Sequence, residues 1–189
     1  MMQSKFLLIL LALIFSFSIA KAEYQKDKSI DLDKFSGIWL EMVRTPNYLQ
    51  KKCNYSSVNY QFSYDNELEI TNLCITFNNT KKKRVFHSSL INKNETNRTF
   101  YIEYTGIMGF IKPFSKGNFH IFYVNDDYTI AIVGHPDKSE FWILSRELLY
   151  DQEIKNTIII AKSYGLDTKK LIFDDFSPEI KSDIIELFD

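Results

Sequence analysis

Short apolar segments, separated by turn residues every eight to fifteen positions, fill the chain from residue 35 to residue 144. The segment 57–64 alternates apolar with polar side chains, and so does the segment 67–71 beyond the turn pair Asp65 and Asn66. Because successive side chains of a strand point to opposite faces, the two segments predict a hairpin with one dry face. The whole pattern predicts an antiparallel meander.

Further strands are predicted at 84–91, 99–105, 118–124, 128–134 and 141–146. Strands joined locally in this way favour an up-and-down barrel, because a sheet that closes on itself has no exposed edge. Beyond residue 146 the period becomes helical. We expect Asp151 to cap a helix that ends at Gly165, a short strand at 171–173, and a terminal helix opened by Ser177 and Pro178.

The first 22 residues have a different character from the rest of the chain. A short start with Lys5 precedes the apolar run 6–20 and the sequence Ala20-Lys21-Ala22. The run is shorter than the roughly 20 residues that cross a bilayer, so residues 1–22 predict a cleavable signal peptide. Residues 23–189 then form one domain, and no Cys follows the run as a lipidation site. We expect a soluble protein that is secreted or periplasmic.

Charge and composition exclude several classes of protein. Lys and Arg number 23 and Asp and Glu number 24, while 45% of the residues are hydrophobic. This balance argues against a disordered chain and against a nucleic-acid partner, which would need an extended basic face. The basic run 81–84 is expected to be a solvated turn, with an anionic-lipid site as the alternative.

Cys53 and Cys74 are the two cysteines of the chain. An even number beyond a signal peptide predicts one disulfide, which would contribute about 3 kcal/mol by constraining the unfolded chain. A metal site or a catalytic thiol is not expected, since neither Cys has a second Cys or a His at ligand spacing.

Three segments of the chain form an ordered set of motifs: 33–44 (with Gly37-Ile38-Trp39), 109–114 and 141–146, the last two flanking the stretch 119–133. In this order they resemble landmarks of the lipocalin family, in the form shared by the apolipoprotein D and bacterial lipocalin (Blc) subfamily. The resemblance covers most of residues 23–189. It implies an all-β fold, an eight-stranded antiparallel up-and-down barrel with a packed C-terminal α-helix, a short ninth strand and a terminal helix.

The resemblance also implies structural roles for single residues. In the family the tryptophan closes the narrow end of the barrel and the arginine packs across it, which makes Trp39 and Arg146 a structural pair. Gly37 would let the chain enter the first strand without a Cβ. We expect Asp126 to cap the turn at 125–128, and a Cys pair such as Cys53 and Cys74 occurs in bacterial-type relatives.

An eight-stranded barrel holds either packed side chains or one small ligand, and its inward residues alternate along each strand. An inward Trp39 sets the inward residues of the first strand, and the apolar alternates of the hairpin and of the later strands complete the candidate pocket lining: Glu41, Val43, Val58, Tyr60, Phe62, Ile70, Ile102, Tyr104, Phe119, Ile121, Tyr123, Ala131, Val133, Trp142 and Leu144. Simple core packing is the alternative for each of them. An inward Glu41 would be a buried acid unless Arg44, a tyrosine or water reaches it, which makes it a candidate for head-group recognition.

The expected function is to bind and to carry or store a small hydrophobic ligand, a fatty acid or a lysophospholipid, as the resemblance implies. Alternatives are a carrier of haem or a bilin and an enzyme that modifies lipids. No catalytic residue, metal or cofactor is expected, because the three His are scattered and no nucleophile motif is present. The apolar segment 106–117 would lie near the barrel mouth or contact a membrane or a second copy of the chain.

Overall fold

The computed structural model describes residues 28–63, 67–78, 80–92, 95–104 and 117–188. A short helix, α1 (Leu32–Phe35), precedes eight strands. These are β1 (Gly37–Arg44), β2 (Tyr55–Phe62), β3 (Leu68–Asn78), β4 (Thr80–Asn92), β5 (Thr99–Tyr104), β6 (Gly117–Val124), β7 (Ile130–Gly134) and β8 (Phe141–Ser145). Helix α2 (Asp151–Ser163), strand β9 (Ile172–Phe173) and helix α3 (Pro178–Glu186) complete the fold.

The strands form one antiparallel sheet in which each pairs with its neighbour in sequence, from β2 through to β8. Strand β1 then pairs with both β8 and β2, so eight strands close into a ring. Strand β9 pairs with the far end of β1, where Val43 lies opposite Phe173. The predicted eight-stranded barrel with a C-terminal helix is confirmed.

Two apolar clusters show where the core lies. One cluster surrounds Trp39 and draws on strands from every side of the ring, so it lies in the barrel interior. The other joins outward residues such as Leu40 and Ile143 to Ala161 of α2 and Ile184 of α3, so it lies between the barrel and its helices. The alternation of each strand thus separates an interior from a helix-covered exterior.

Several local expectations need correction. The run 81–84 is not a turn. Strands β3 and β4 stay paired as far as Asn78 and Thr80, so the run lies within the first residues of β4. Asp151 does not cap α2: it is the first helical residue, and the Tyr150 amide donates to the Glu153 carboxylate at 2.8 Å. Ser177 caps α3 as expected, since its side chain accepts from the Ile180 amide.

The tight turn between β6 and β7 is held by Asn125, not by Asp126. The Asn125 side-chain oxygen accepts from the amides of Thr129 and Ile130 at 2.8 and 2.9 Å. A side-chain amide oxygen can accept these hydrogen bonds as well as a carboxylate oxygen does, and Asn125 is the first residue of the turn. The predicted turn at residues 65 and 66 and the apolar segment 106–117 lie mostly or wholly outside the described residues.

Candidate functional site

Trp39 and Arg146 close one end of the barrel. The guanidinium carbon of Arg146 lies 4.0 Å from the Trp39 ring centroid, and the Trp39 indole donates to the Phe35 carbonyl at 2.8 Å. Arg146 also donates to the carbonyls of Ser36 and Ile38 at 2.6 and 3.0 Å. This cation therefore stacks on the indole and satisfies backbone acceptors together, while its burial lowers its pKa to about 10.

Gly37 lies beneath this plug. Its φ is +102°, and a Cβ built there would lie 2.8 Å from the Arg146 Nη1 atom. Both the left-handed backbone and the close guanidinium therefore require a residue without a side chain.

Most of the predicted lining lies in the interior cluster. Aromatic rings pack against one another in this cluster. The Tyr60 ring centroid lies 4.9 Å from that of Phe35 and 6.0 Å from that of Phe119. Ile102 and Trp142 are partly buried against the same cluster. The predicted residues that are buried within it are Val58, Tyr60, Ile70, Phe119, Ile121, Ala131, Val133 and Leu144.

Val43 and Tyr123 do not line the interior. Both pack in the outer cluster between barrel and helices. In β1 the register shifts between Glu41 and Val43, and in β6 it shifts between Ile121 and Tyr123. Each bulge adds one residue, which reverses the faces of the residues that follow it.

Both bulges are held by hydrogen bonds from distant parts of the chain. At the first bulge the Met42 carbonyl accepts from the Asp174 amide at 3.1 Å. At the second, the Arg98 Nη1 atom donates to the carbonyls of Ile121 and Phe122 at 2.9 and 3.2 Å. Backbone groups that the sheet leaves unpaired are thus satisfied from outside the sheet.

Two further predicted residues stand apart. Phe62 lies at the end of β2, where its side chain is 37% exposed, so it does not line an enclosed space. Tyr104 ends β5 opposite Ser88, and its side chain lies outside the described part of the chain.

Glu41 is a buried acid on the interior face, directly opposite Leu144. Its carboxylate accepts from the Gln50 side-chain amide at 2.5 Å, and the Gln50 oxygen accepts from the Trp142 indole at 2.8 Å. Burial raises the pKa of Glu41 to about 7, partly offset by the Gln50 hydrogen bond. The residues Glu41, Gln50 and Trp142, here called the polar group, tie the β1–β2 loop to the barrel wall.

Arg44 does not pair with Glu41. Its guanidinium forms a buried ion pair with Asp174 and donates to the Cys53 carbonyl at 3.0 Å. The other Asp174 oxygen accepts from the Ser56 amide at 3.0 Å. Burial raises the pKa of Asp174 to about 6, although the neighbouring Arg44 charge opposes the rise. The disulfide between Cys53 and Cys74 forms beside this pair, as predicted.

The sequence did not reveal Gln50, Asp174 or the role of Arg44. Gln50 lies in a loop whose path depends on the disulfide, and Asp174 comes 130 residues after its partner. The one available signal was the acid placed directly after the ninth strand. In the described part of the chain, no three His, Cys, Asp or Glu side chains are grouped to hold a metal ion.

The sequence model of the family described as “Lipocalin-like domain” matches residues 30–175. The chain belongs to the lipocalin family. Lipocalins are generally binding and transport proteins, and their fold is consistent with binding small hydrophobic ligands. They are typically extracellular, and the disulfide suggests an oxidising compartment.

Sequence relatives and solved structures align with most of the chain. A putative lipocalin of Acanthamoeba polyphaga mimivirus is 28% identical over 155 residues, which cover 81% of this chain and 89% of that protein. The temperature-induced lipocalin-1 of Arabidopsis thaliana is 24% identical over 158 residues, covering 80% and 82%. The crystal structure of the cockroach allergen Per a 4 matches with a TM-score of 0.60 at 20% identity, covering 83% and 95%.

No helix in the described residues combines the length and the apolar character that crossing a membrane requires.

Proposed function

We propose that this lipocalin binds one fatty acid or lysophospholipid, with the acyl chain in the barrel interior and the polar end near the polar group. The observation that carries the proposal is the contrast within the barrel. Its interior wall is apolar on every side, whereas Glu41, Gln50 and the Trp142 indole supply hydrogen-bonding atoms at one place. An amphipathic ligand matches this arrangement better than a wholly apolar one.

The driving force is removal of the acyl chain from water, at about 0.8 kcal/mol for each buried methylene. The polar group would orient the ligand. A protonated Glu41 can donate to a ligand oxygen, while an ionised one can only accept. The Ser56 hydroxyl is a further polar group of the barrel wall, on the same strand face as Val58. It is buried and has no hydrogen-bond partner. A ligand head group would satisfy it.

Export and subfamily belong to the same proposal. The apolar segment 6–20, the cleavage sequence and the disulfide together support a secreted or periplasmic protein. The three sequence motifs support membership of the Blc and apolipoprotein D subfamily. Expression through a secretory pathway, followed by mass measurement of the product, should give a chain that begins at Glu23; a product that retains residues 1–22 would contradict export by cleavage.

Titration of delipidated protein with a fluorescent fatty acid tests the binding itself. We expect saturable binding at one site that unlabelled fatty acid or lysophosphatidylcholine displaces. Glu41→Gln should remove the loss of fatty-acid affinity expected above about pH 7, where Glu41 ionises and repels a carboxylate. Glu69→Gln, on the exposed face of β3, is the matched control and should behave as the wild type.

Mass spectrometry of small molecules that co-purify with the protein separates this proposal from its alternatives. An acyl lipid supports it. A coloured protein carrying a tetrapyrrole would favour pigment transport, and a lipid that is chemically converted by the purified protein would favour an enzyme. Absence of saturable binding to any fatty acid or lysophospholipid would overturn the proposal.

A further inference from the structure

The strand directions place the two ends of the barrel without ambiguity. Trp39 and α1 occupy the closed end, so β1 runs from that end toward the other. The opposite end, here called the mouth, therefore carries the β1–β2 loop, the β3–β4 turn and the β7–β8 loop. The residues that precede β9 also lie there, because Ile172 pairs with Arg44 at the far end of β1.

Exposed lysines are concentrated at the mouth. They come from four separate parts of the chain, at positions 51–52, 81–83, 138 and 169–170. The acids at or near this end that are not buried include Asp137, Glu140, Asp167, Asp175 and Asp183, and Asp183 pairs with Lys81 at 2.5 Å. Glu41 and Asp174 also lie near this end but are buried. Positive charge therefore exceeds negative charge at the mouth.

The closed end has the opposite character. Its described acids include Asp31, Asp33, Glu67, Asp126 and Asp127. Against them, in the described residues, stand two exposed lysines, at positions 28 and 34, each within 3.6 Å of an acid, and the arginines Arg98 and Arg146, which are bonded to backbone carbonyls. The near-neutral net charge of the whole chain, −1, thus conceals a charge separation along the barrel axis.

Two exposed aromatic side chains accompany the lysines at the mouth. Tyr48, in the β1–β2 loop, is 84% exposed, and Phe77, near the end of β3, is 48% exposed. Phe77 is held in place by Tyr55, with ring centroids 5.7 Å apart, and by its amide, which donates to the Asn54 side chain at 2.7 Å. Aromatic rings next to cations are typical of surfaces that sit at the lipid headgroup level.

We propose that the mouth docks on membranes rich in anionic lipid, so that the barrel opens toward the bilayer surface. Charge complementarity selects the partner: lysines from four segments lie at the same end of the barrel, and the acidic closed end would be held away. The exposed aromatic rings favour a lipid surface over a soluble polyanion, because they can insert among headgroups. The docking does not depend on which ligand occupies the barrel.

Sedimentation with vesicles tests this proposal, using phosphatidylcholine alone or with about one third phosphatidylglycerol. The full chain without residues 1–22 should bind the anionic vesicles, release them at high salt, and bind neutral vesicles weakly. Lys51→Gln with Lys52→Gln should weaken anionic-vesicle binding by about 30-fold, from about 1 kcal/mol for each lysine near the surface.

Lys28→Gln with Lys34→Gln is the matched control, since it removes the same charge from the closed end. It should weaken binding by less than about threefold, and circular dichroism should show both variants folded. Equal losses in the two variants would overturn the proposed orientation. Equal binding to neutral and anionic vesicles, or binding to heparin but not to vesicles, would overturn the proposal itself. Fatty-acid titration of the same variants reports separately on the barrel.

Discussion

The buried acid in the barrel should make stability depend on pH in an unusual direction. Burial raises the pKa of Glu41 from 4.5 to about 7, so the folded protein holds this proton more tightly than the unfolded chain does. Below about pH 4.5 the Glu41 carboxyl is protonated in both the folded and the unfolded state, so its ionisation does not lower the stability. Between about pH 4.5 and 7 the unfolded chain gives up this proton while the folded state still holds it, and about 3 kcal/mol of stability is progressively lost.

Glu41→Gln keeps a side chain that can bond to Gln50 but removes the charge. Relative to the wild type, its free energy of unfolding should rise by about 2–3 kcal/mol between about pH 5 and about pH 8. Urea unfolding at fixed ionic strength, followed by far-ultraviolet circular dichroism, measures this difference. Comparing the two proteins at each pH largely cancels the contributions of Asp174 and His120 to the pH dependence of stability, because both groups titrate in both proteins.

Glu69→Gln, on the exposed face of β3, provides the control for the loss of a surface charge. The reasoning would be refuted if the difference between Glu41→Gln and the wild type stayed constant over the same range. It would also be refuted if that difference fell as the pH rose, because Glu41 would then have a lowered pKa in the folded state.

Other substitutions test single contacts. Arg146→Lys should cost about 2 kcal/mol in urea unfolding, because one ammonium cannot replace the stack on Trp39 and the bonds to several carbonyls. Gly134→Ala should cost about 1–3 kcal/mol, since its Cβ would lie 2.3 Å from the Glu140 carbonyl oxygen; an unchanged melting temperature would contradict that contact. Val43→Ala should cost about 2 kcal/mol while leaving fatty-acid affinity unchanged; a large loss of affinity would show that Val43 faces the ligand after all.

The strands were predictable because they depend on local alternation, and the barrel closure was predictable because a sheet that closes on itself has no exposed edge. From Val58 to Leu144 most candidate lining residues lie in the interior cluster, since a period of two fixes the face of every residue in an unbroken strand. The prediction was wrong at Val43 and Tyr123, each just beyond a bulge. Counting alternate residues cannot detect a bulge when the bonds that stabilise it come from Asp174 and Arg98, far away in sequence.

The contacts of the polar group were also only partly predictable from the sequence. From the sequence we expected Glu41 inside the barrel, with Arg44 as one of its possible partners. In the structure Gln50 is the partner of Glu41, and Arg44 pairs with Asp174. Which of two nearby groups a buried carboxylate meets depends on how the β1–β2 loop folds back over the barrel. That path is fixed by the disulfide and by β9, neither of which acts through local sequence.

The sequence by itself determined most of the secondary structure, the order of strands and the apolar character of the interior, because these follow from patterns among neighbouring residues. The Trp39 plug was implied by the resemblance to lipocalins. Only the tertiary structure decided which residues change face at the bulges, which partner holds Glu41, and that lysines from four segments gather at the mouth. Each of these depends on groups that are distant in the chain and adjacent only once the barrel has closed.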